Sequence, residues 1–281
     1  MKNSRAISFF IIALVYILSS VIGILVYNNL NFDIWLNLLI ADIAATVVVF
    51  AFSLIFNNAS TYDPYWSVAP IVIVGYLFFN HEFNLVTFLP TIAIVIWGIR
   101  LTLNWAYTFE NLNHQDWRYT MLKQKTGILY FFVNLFGIHL FPTIVVYLCI
   151  LPVVYLYNSE ATLNIFTIIM FIVSICSFTI QGIADYQMHA FRRNKNSVFI
   201  RNGLWKYSRH PNYLGEIMMW WSIGLLCVFS LNNVVFLIGA IVNHLMFIFI
   251  SIPLAENHQK SRKEGFDEYK KETRMLLLFK K

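Results

Sequence analysis

The stretch richest in groups able to do chemistry is Gly203-Leu-Trp-Lys-Tyr207-Ser-Arg209-His210-Pro211-Asn212-Tyr213-Leu-Gly-Glu216. Proline suits the first position of a helix, where its missing N–H would have no partner anyway. A helix opened by Pro211 presents unbonded backbone N–H groups and the positive end of its dipole. Arg209 and His210 stand just before that end, so backbone and side chains together suit an anion site; the bland reading is a decorated interfacial turn. Tyr213 and Glu216 follow on the first turn, at the membrane boundary. Gln181, Asp185, His189 and Arg192 recur at four, four and three residues and form one polar stripe. The stripe suits a polar ligand at the bilayer surface, and equally a solvated helix end. Arg100 and Asn104 share a helix face and could hold a phosphate or an amide. They also fit a snorkelling arginine beside an interfacial asparagine. Asp63-Pro64-Tyr65-Trp66-Ser67 reads as an interfacial turn in which aspartate caps the next helix.

The elements that must position these groups are set by composition. Hydrophobic residues make up 59% of the 281 and charged residues only 12%, with mean hydropathy +0.64. Soluble domains carry roughly 25% charged residues, so most of this surface faces lipid. Apolar runs cover about 6–28, 33–56, 67–80, 85–109, 127–157, 162–184, 213–230 and 233–255. Most reach the roughly 20 residues that cross a bilayer. The run 67–80 is short but is kept as a span, and Pro142 is expected to kink or break the long run 127–157. The first run exceeds a signal-peptide core and has no small-residue cleavage site, so it is read as a retained helix.

With the N-terminus in the cytoplasm and eight crossings, nineteen of the twenty Lys and Arg fall on the inner side, Lys2, Lys195, Lys280 and Lys281 among them. Arg100 is the twentieth, near the inner end of the fourth helix. The outer loops near 29–32, 81–84, 158–161 and 231–232 hold none, as the positive-inside rule requires. Net charge +6 therefore points to cytoplasmic loops facing anionic lipid or an anionic cofactor, not to nucleic acid. The expected fold is an all-α polytopic transmembrane bundle of about seven to eight spans, both termini cytoplasmic. It is read as a single membrane domain, with substrate-cavity helices in 1–110 and the cofactor pocket in 111–281. Only Leu231, Asn232 and Asn233 separate the last two spans, which implies a tight hairpin.

Cys149, Cys176 and Cys227 lie in apolar runs without a Cys-x-x-Cys pair, so no disulfide framework or metal knuckle is indicated. There is no His-x-x-x-His, no Rossmann glycine motif and no Walker loop. His139 and His244, within spans, read as packed histidines.

The Gly203–Glu216 signature resembles the C-terminal signature of the membrane steroid 5-alpha-reductase superfamily, which includes the sterol C14 and C7 reductases. A bacterial branch, often described only as a domain of unknown function, looks closest. It is similar in Asp63-Pro-Tyr-Trp-Ser, in Trp97-Gly-x-Arg100 with Asn104-Trp105, in Asp116-Trp-Arg-Tyr119, in Asp185 with Phe191-Arg192, and in Gly265-Phe-x-x-Tyr269. The isoprenylcysteine carboxyl methyltransferases share a related Arg-His-Pro-x-Tyr signature. The resemblance implies NADPH held by Arg100, Asn104, Asp185, Arg192, Tyr207, Arg209, His210, Asn212, Tyr213 and Glu216. Guanidinium binds phosphate through paired bonds, so Arg192 and Arg209 suit the pyrophosphate and the 2′-phosphate. The reaction implied is hydride transfer to the β-carbon of a lipophilic, steroid-like or isoprenoid, enone in a membrane, the bacterial plasma membrane on the bacterial resemblance or the endoplasmic reticulum in a eukaryote. In the steroid reductases a carboxylate and a tyrosine from the N-terminal half hold the enone oxygen. This chain departs from them there, and Tyr65 and Asp63 are the candidates. The alternatives are an S-adenosylmethionine-dependent methyltransferase of a lipid or prenylated substrate and a non-catalytic membrane protein.

Overall fold

The computed structural model of the chain describes residues 4–194 and 198–279, so Lys2, Lys195, Lys280 and Lys281 of the charge pattern lie outside it. The described residues form helices and turns, with one isolated bridge between Ser208 and Arg274 and no strand. Among the described residues, seven helical stretches are long and apolar enough to cross a membrane: Arg5–Asn28, Ile34–Phe56, Leu85–Thr108, Trp117–Tyr157, Ile165–Asn194, Pro211–Leu231 and Val234–Lys260. The chain is an all-α, polytopic integral membrane protein. It divides into two compact units, Met1–Ser159 and Glu160–Lys281.

In the first unit, α1 (Arg5–Asn28) packs along α2 (Ile34–Phe56), and α3 (Tyr65–Asn80) along α4 (Leu85–Thr108). At 16 residues, α3 is about 24 Å long and falls short of the full span expected of it. The reason lies in the connection before it. Asn58, Ala59, Ser60, Thr61 and Tyr62 are all buried, and Tyr62 and Tyr65 pack against Val15, Ala45 and Val49. The chain thus folds back beside α2 before α3 begins. Buried irregular backbone must find its hydrogen bonds within the protein. Here Asn58 Nδ2 donates to the carbonyls of Leu112 (2.7 Å) and His114 (3.1 Å). The amide of Ala59 donates to Gln115 Oε1 (2.9 Å), and Tyr16 Oη donates to the Thr61 carbonyl (2.7 Å).

A short helix α5 (Trp117–Thr126), capped by Asp116, leads to α6 (Phe141–Tyr157). The helix does not break at Pro142. Instead Val133–Leu140 is π-helical and Pro142 is the second residue of the α-helix that follows. A proline in a continuous α-helix clashes with the carbonyl four residues back; the extra residue of a π turn moves that carbonyl away. The same device recurs in the second unit, where π-helical Phe247–Ser251 precedes Pro253. Because α6 packs against α2, α3 and α4, residues up to Ser159 belong with the N-terminal helices.

The second unit is built on α7 (Ile165–Asn194) and α8 (Pro211–Leu231), which pack closely along their lengths. Gly215 makes this possible: a Cβ there would lie 2.6 Å from the Ser177 carbonyl oxygen and 2.5 Å from Gln181 Cγ. The hairpin after α8 is as tight as its three residues require. Asn232 takes the left-handed conformation (φ 52°), and Asn233 Oδ1 accepts the Val235 amide (3.0 Å). The chain returns through α9 (Ile238–Met246) and α10 (Ile252–Lys260) and ends with α11 (Phe266–Glu272) and an extended tail.

Candidate functional site

Two places concentrate buried chemistry. The first lies in the N-terminal unit. Asp42 sits eight residues into α2, 7% exposed, and accepts a hydrogen bond from Tyr65 Oη at 3.1 Å. The pair faces a cleft between α1, α2 and α3, lined mostly by apolar side chains. Its polar walls come from Tyr16, Ser19, Ser20, Tyr27 and Tyr76, and aliphatic residues fill the rest. Packing keeps the pair in place: Tyr65 lies edge-on to Tyr16 (5.6 Å) and tilted on Tyr62 (5.5 Å). Asp42 was not among the sequence candidates. Its signal was present, as a lone carboxylate well inside an apolar run, where a charge is costly unless it has a purpose.

Asp63, paired with Tyr65 on sequence grounds, belongs elsewhere. Its carboxylate accepts from Tyr119 Oη (2.6 Å), and Arg118, held by Asp116 (2.8 Å), is close by. Burial pushes the Asp63 pKa up to about 6, against the pull of Arg118 and the Tyr119 hydrogen bond. Side chains two residues apart at a helix start point in different directions, and so Tyr65 turns to the cavity while Asp63 turns to α5.

The second place is the Arg209–Glu216 segment. Pro211 opens α8 as its spacing predicts, but Arg209 does not project ahead of the helix end. It is 7% exposed. Its Nε and Nη2 reach Glu256 Oε1 at 2.8 Å each, while Nη1 donates to the carbonyls of Lys270 (3.2 Å) and Thr273. His210 Nε2 lies 3.2 Å from the same Glu256 oxygen, and Lys270 Nζ is 2.9 Å from the other. Burial holds the His210 pKa below its usual value, with Glu256 pulling the other way. The backbone completes the attachment: the Arg209 amide donates to the Arg274 carbonyl (2.8 Å), and Ser208 Oγ donates to Met275 (3.1 Å). This network fastens the C-terminal tail to the start of α8. Glu256 is its hub and was also missed in sequence, since it follows directly on an apolar run and looks like a helix-end charge.

Tyr213 stacks on His210 (5.2 Å, 5°) and packs on Phe247. Glu216, one turn on, accepts from Gln181 Nε2 (2.7 Å) and Trp220 Nε1 (2.9 Å) between α7 and α8. Asp185 and Arg192 both act on His189, so the predicted stripe exists on α7. Arg192 also helps to lower the pKa of Lys263, after burial. Asn212 is half-buried in the first turn of α8, and Tyr207 is exposed beside Lys206. Arg100 and Asn104 lie on α4, in the N-terminal unit. The structure therefore brings Arg209, His210 and Tyr213 together, sets Glu216 beside Gln181, and separates Tyr65 from Asp63.

A family model described as "Protein of unknown function (DUF1295)" matches residues 49–273. The chain belongs to the DUF1295 family. The match takes in the buried connection before α3, both ion clusters and the α7–α8 pair, and it starts just after Asp42. No curated protein and no solved structure matches the chain.

Proposed function

We infer that this DUF1295 protein is a membrane-embedded, NADPH-dependent reductase acting on the C=C bond of a lipophilic enone. The observation that carries the reading is the Tyr65–Asp42 hydrogen bond (3.1 Å) at the wall of an otherwise largely apolar cavity. In conjugate reduction, negative charge develops on the carbonyl oxygen, and a donor already aimed at that position stabilises it. Tyr65 supplies the O–H, and Asp42 orients it. Helices α1 to α3 exclude water around the reacting carbons. NADPH, when bound, supplies the hydride to the β-carbon.

The fit to a phosphate-bearing cofactor is supported by the crowding of Arg192 and Lys263, cations close enough for one to depress the pKa of the other. Such a pair favours an anion and disfavours a sulfonium, which weighs against the methyltransferase reading. Arg192, Asp185, Asn212 and Tyr207 would hold the cofactor. Arg209 would act indirectly, by holding the segment that carries Asn212 and Tyr213.

The test is a titration of detergent-purified protein with NADPH, NADH and S-adenosylmethionine, followed by tryptophan fluorescence and thermal stability, then an enone screen. Saturable NADPH binding and enone reduction are expected. Tyr65→Phe should lower kcat/KM by about 10²- to 10³-fold and leave NADPH affinity unchanged. Binding of S-adenosylmethionine alone, or full activity in Tyr65→Phe, would overturn the reading.

A further inference from the structure

Tyr16 and Tyr27 on α1 stand eleven residues apart, and so do Tyr65 and Tyr76 on α3. Eleven residues make three helical turns to within about 20°, so each set shares one face, its members about 16 Å apart along the axis. The two sets meet ring to ring. Tyr16 lies edge-on to Tyr65 (5.6 Å) and Tyr27 edge-on to Tyr76 (5.1 Å). Thus α1 and α3 run in the same direction and touch at two matched levels, while each packs along another helix, α1 on α2 and α3 on α4. All four tyrosines line the cleft that holds the Asp42–Tyr65 pair. Between the two levels its wall is small or apolar: Ser19 and Gly23 from α1, Ala41 and Ala45 from α2, Ala69 and Val72 from α3. Gly23 lets α1 approach α2 there, since a Cβ would lie 3.3 Å from the Ala41 carbonyl oxygen. Ser19 Oγ donates to the Tyr16 carbonyl of its own helix (2.9 Å). Apart from Ser20, the hydrogen-bonding groups left to a ligand gather at the two ends of the cleft. One end is Tyr65 with Asp42. The other is Tyr27 and Tyr76, close to the ends of their helices at Asn28 and Asn80.

We propose that Tyr27 and Tyr76 recognise a second oxygen function at the far end of the substrate. The cleft then takes an extended lipophile with two polar groups about 16 Å apart, the enone carbonyl at Tyr65 and a hydroxyl at the far pair. This rests on the reductase reading and names the substrate class for the same site. A tyrosine near the end of a membrane helix serves the interface on its own. That role asks for no partner at matched height on a helix it does not pack along, and no repeat of the pairing three turns deeper. A ligand polar at both ends asks for both. Phenol hydroxyls donate and accept, so either tyrosine can bond a substrate hydroxyl. A hydroxyl placed at another distance would lie unbonded against Ala69 or Val72, and burying an unbonded polar group is costly. Tyr27 and Tyr76 touch no reacting atom. They act on which compound binds, not on the hydride step.

The test separates binding from turnover. Cyclohexenones carrying an ω-hydroxyalkyl chain of graded length, each beside its methyl-ended counterpart, are titrated into detergent-purified full-length protein and followed by thermal stability and tryptophan fluorescence. Affinity should peak where the chain sets the hydroxyl about 16 Å from the carbonyl. At that length the hydroxyl should tighten binding several-fold to about tenfold over the methyl end. Tyr27→Phe or Tyr76→Phe should abolish that preference and leave the affinity for the methyl-ended compound unchanged, a readout that a purely interfacial role would not move. Val72→Trp, at the rim of the cleft, should weaken the long compounds and spare the short ones. Affinity that ignores chain length, or a hydroxyl preference that survives in both phenylalanine variants, overturns the proposal. A length optimum in a protein that reduces none of these enones with NADPH would keep the two-ended cleft and sink the reductase. Reduction of short and long enones with equal kcat/KM would sink the two-ended cleft and keep the reductase.

Discussion

Two acidic residues illustrate how strongly burial decides what a side chain does. Glu256 accepts from Arg209, His210 and Lys270 at once, with both carboxylate oxygens engaged. Removing one member of such a buried cluster leaves charge uncompensated and costs about 3–5 kcal/mol. Glu256→Gln and Arg209→Ala should each lower the thermal midpoint of purified protein and expose the C-terminal tail to protease. The double variant should lose clearly less than the sum, because the two residues share one interaction. Asp63 behaves differently. Its folded pKa of about 6 is above the ordinary 3.8, so the folded state holds the proton more tightly than the unfolded one. Its contribution to stability is therefore full below pH 3.8 and is lost as pH rises to about 6. Asp63→Asn should flatten the pH dependence of the thermal midpoint across that window, whereas a slope identical to wild type would assign the titration to another group.

At the scale of elements, backbone approach and proline chemistry matter most. Gly203 has φ +55°, and a Cβ there would lie 2.2 Å from Gln187 Nε2, whose amide oxygen accepts the Leu204 N–H (2.9 Å). Gly203→Ala should detach this turn from α7 and destabilise the protein by at least 1 kcal/mol. Gly215→Ala forces α7 and α8 apart beside Glu216, an overpacking that costs about 1–3 kcal/mol. Both are checked by thermal unfolding in detergent. If Gly215→Ala matches wild type, the two helices are less tightly joined than the 2.6 Å approach implies. The prolines teach the converse lesson. Pro142 was expected to disrupt its helix, but a π segment ahead of it, and another ahead of Pro253, keep both stretches continuous. A sequence marks where an α-helix cannot continue unchanged, but not which of the available accommodations the neighbouring helices will favour.

At the scale of the molecule, the charge pattern predicts a topology that cysteine labelling can check. In a background lacking the three native cysteines, single cysteines at Ser159 and Asn233 should react with an impermeant maleimide from outside. Those at Lys125 and Lys206 should react only after permeabilisation. The reverse pattern would invert the assignment. Apolar run lengths and loop charges were enough for the all-α membrane class, the helix opened by Pro211, the α8–α9 hairpin and the polar stripe on α7, because each depends on the local requirement that lipid-facing backbone be helical. Other features depended on which side chains meet across helices. Asp42 became the partner of Tyr65 only because the buried connection starts α3 beside Ala45 and Val49. Arg209 became the anchor of the tail only because Glu256, 47 residues later, reaches it. Sequence spacing determines what one helix displays on each face. It carries no term for the packing that decides which displayed group meets which partner, and here that packing separated Tyr65 from Asp63 and turned Arg209 inward.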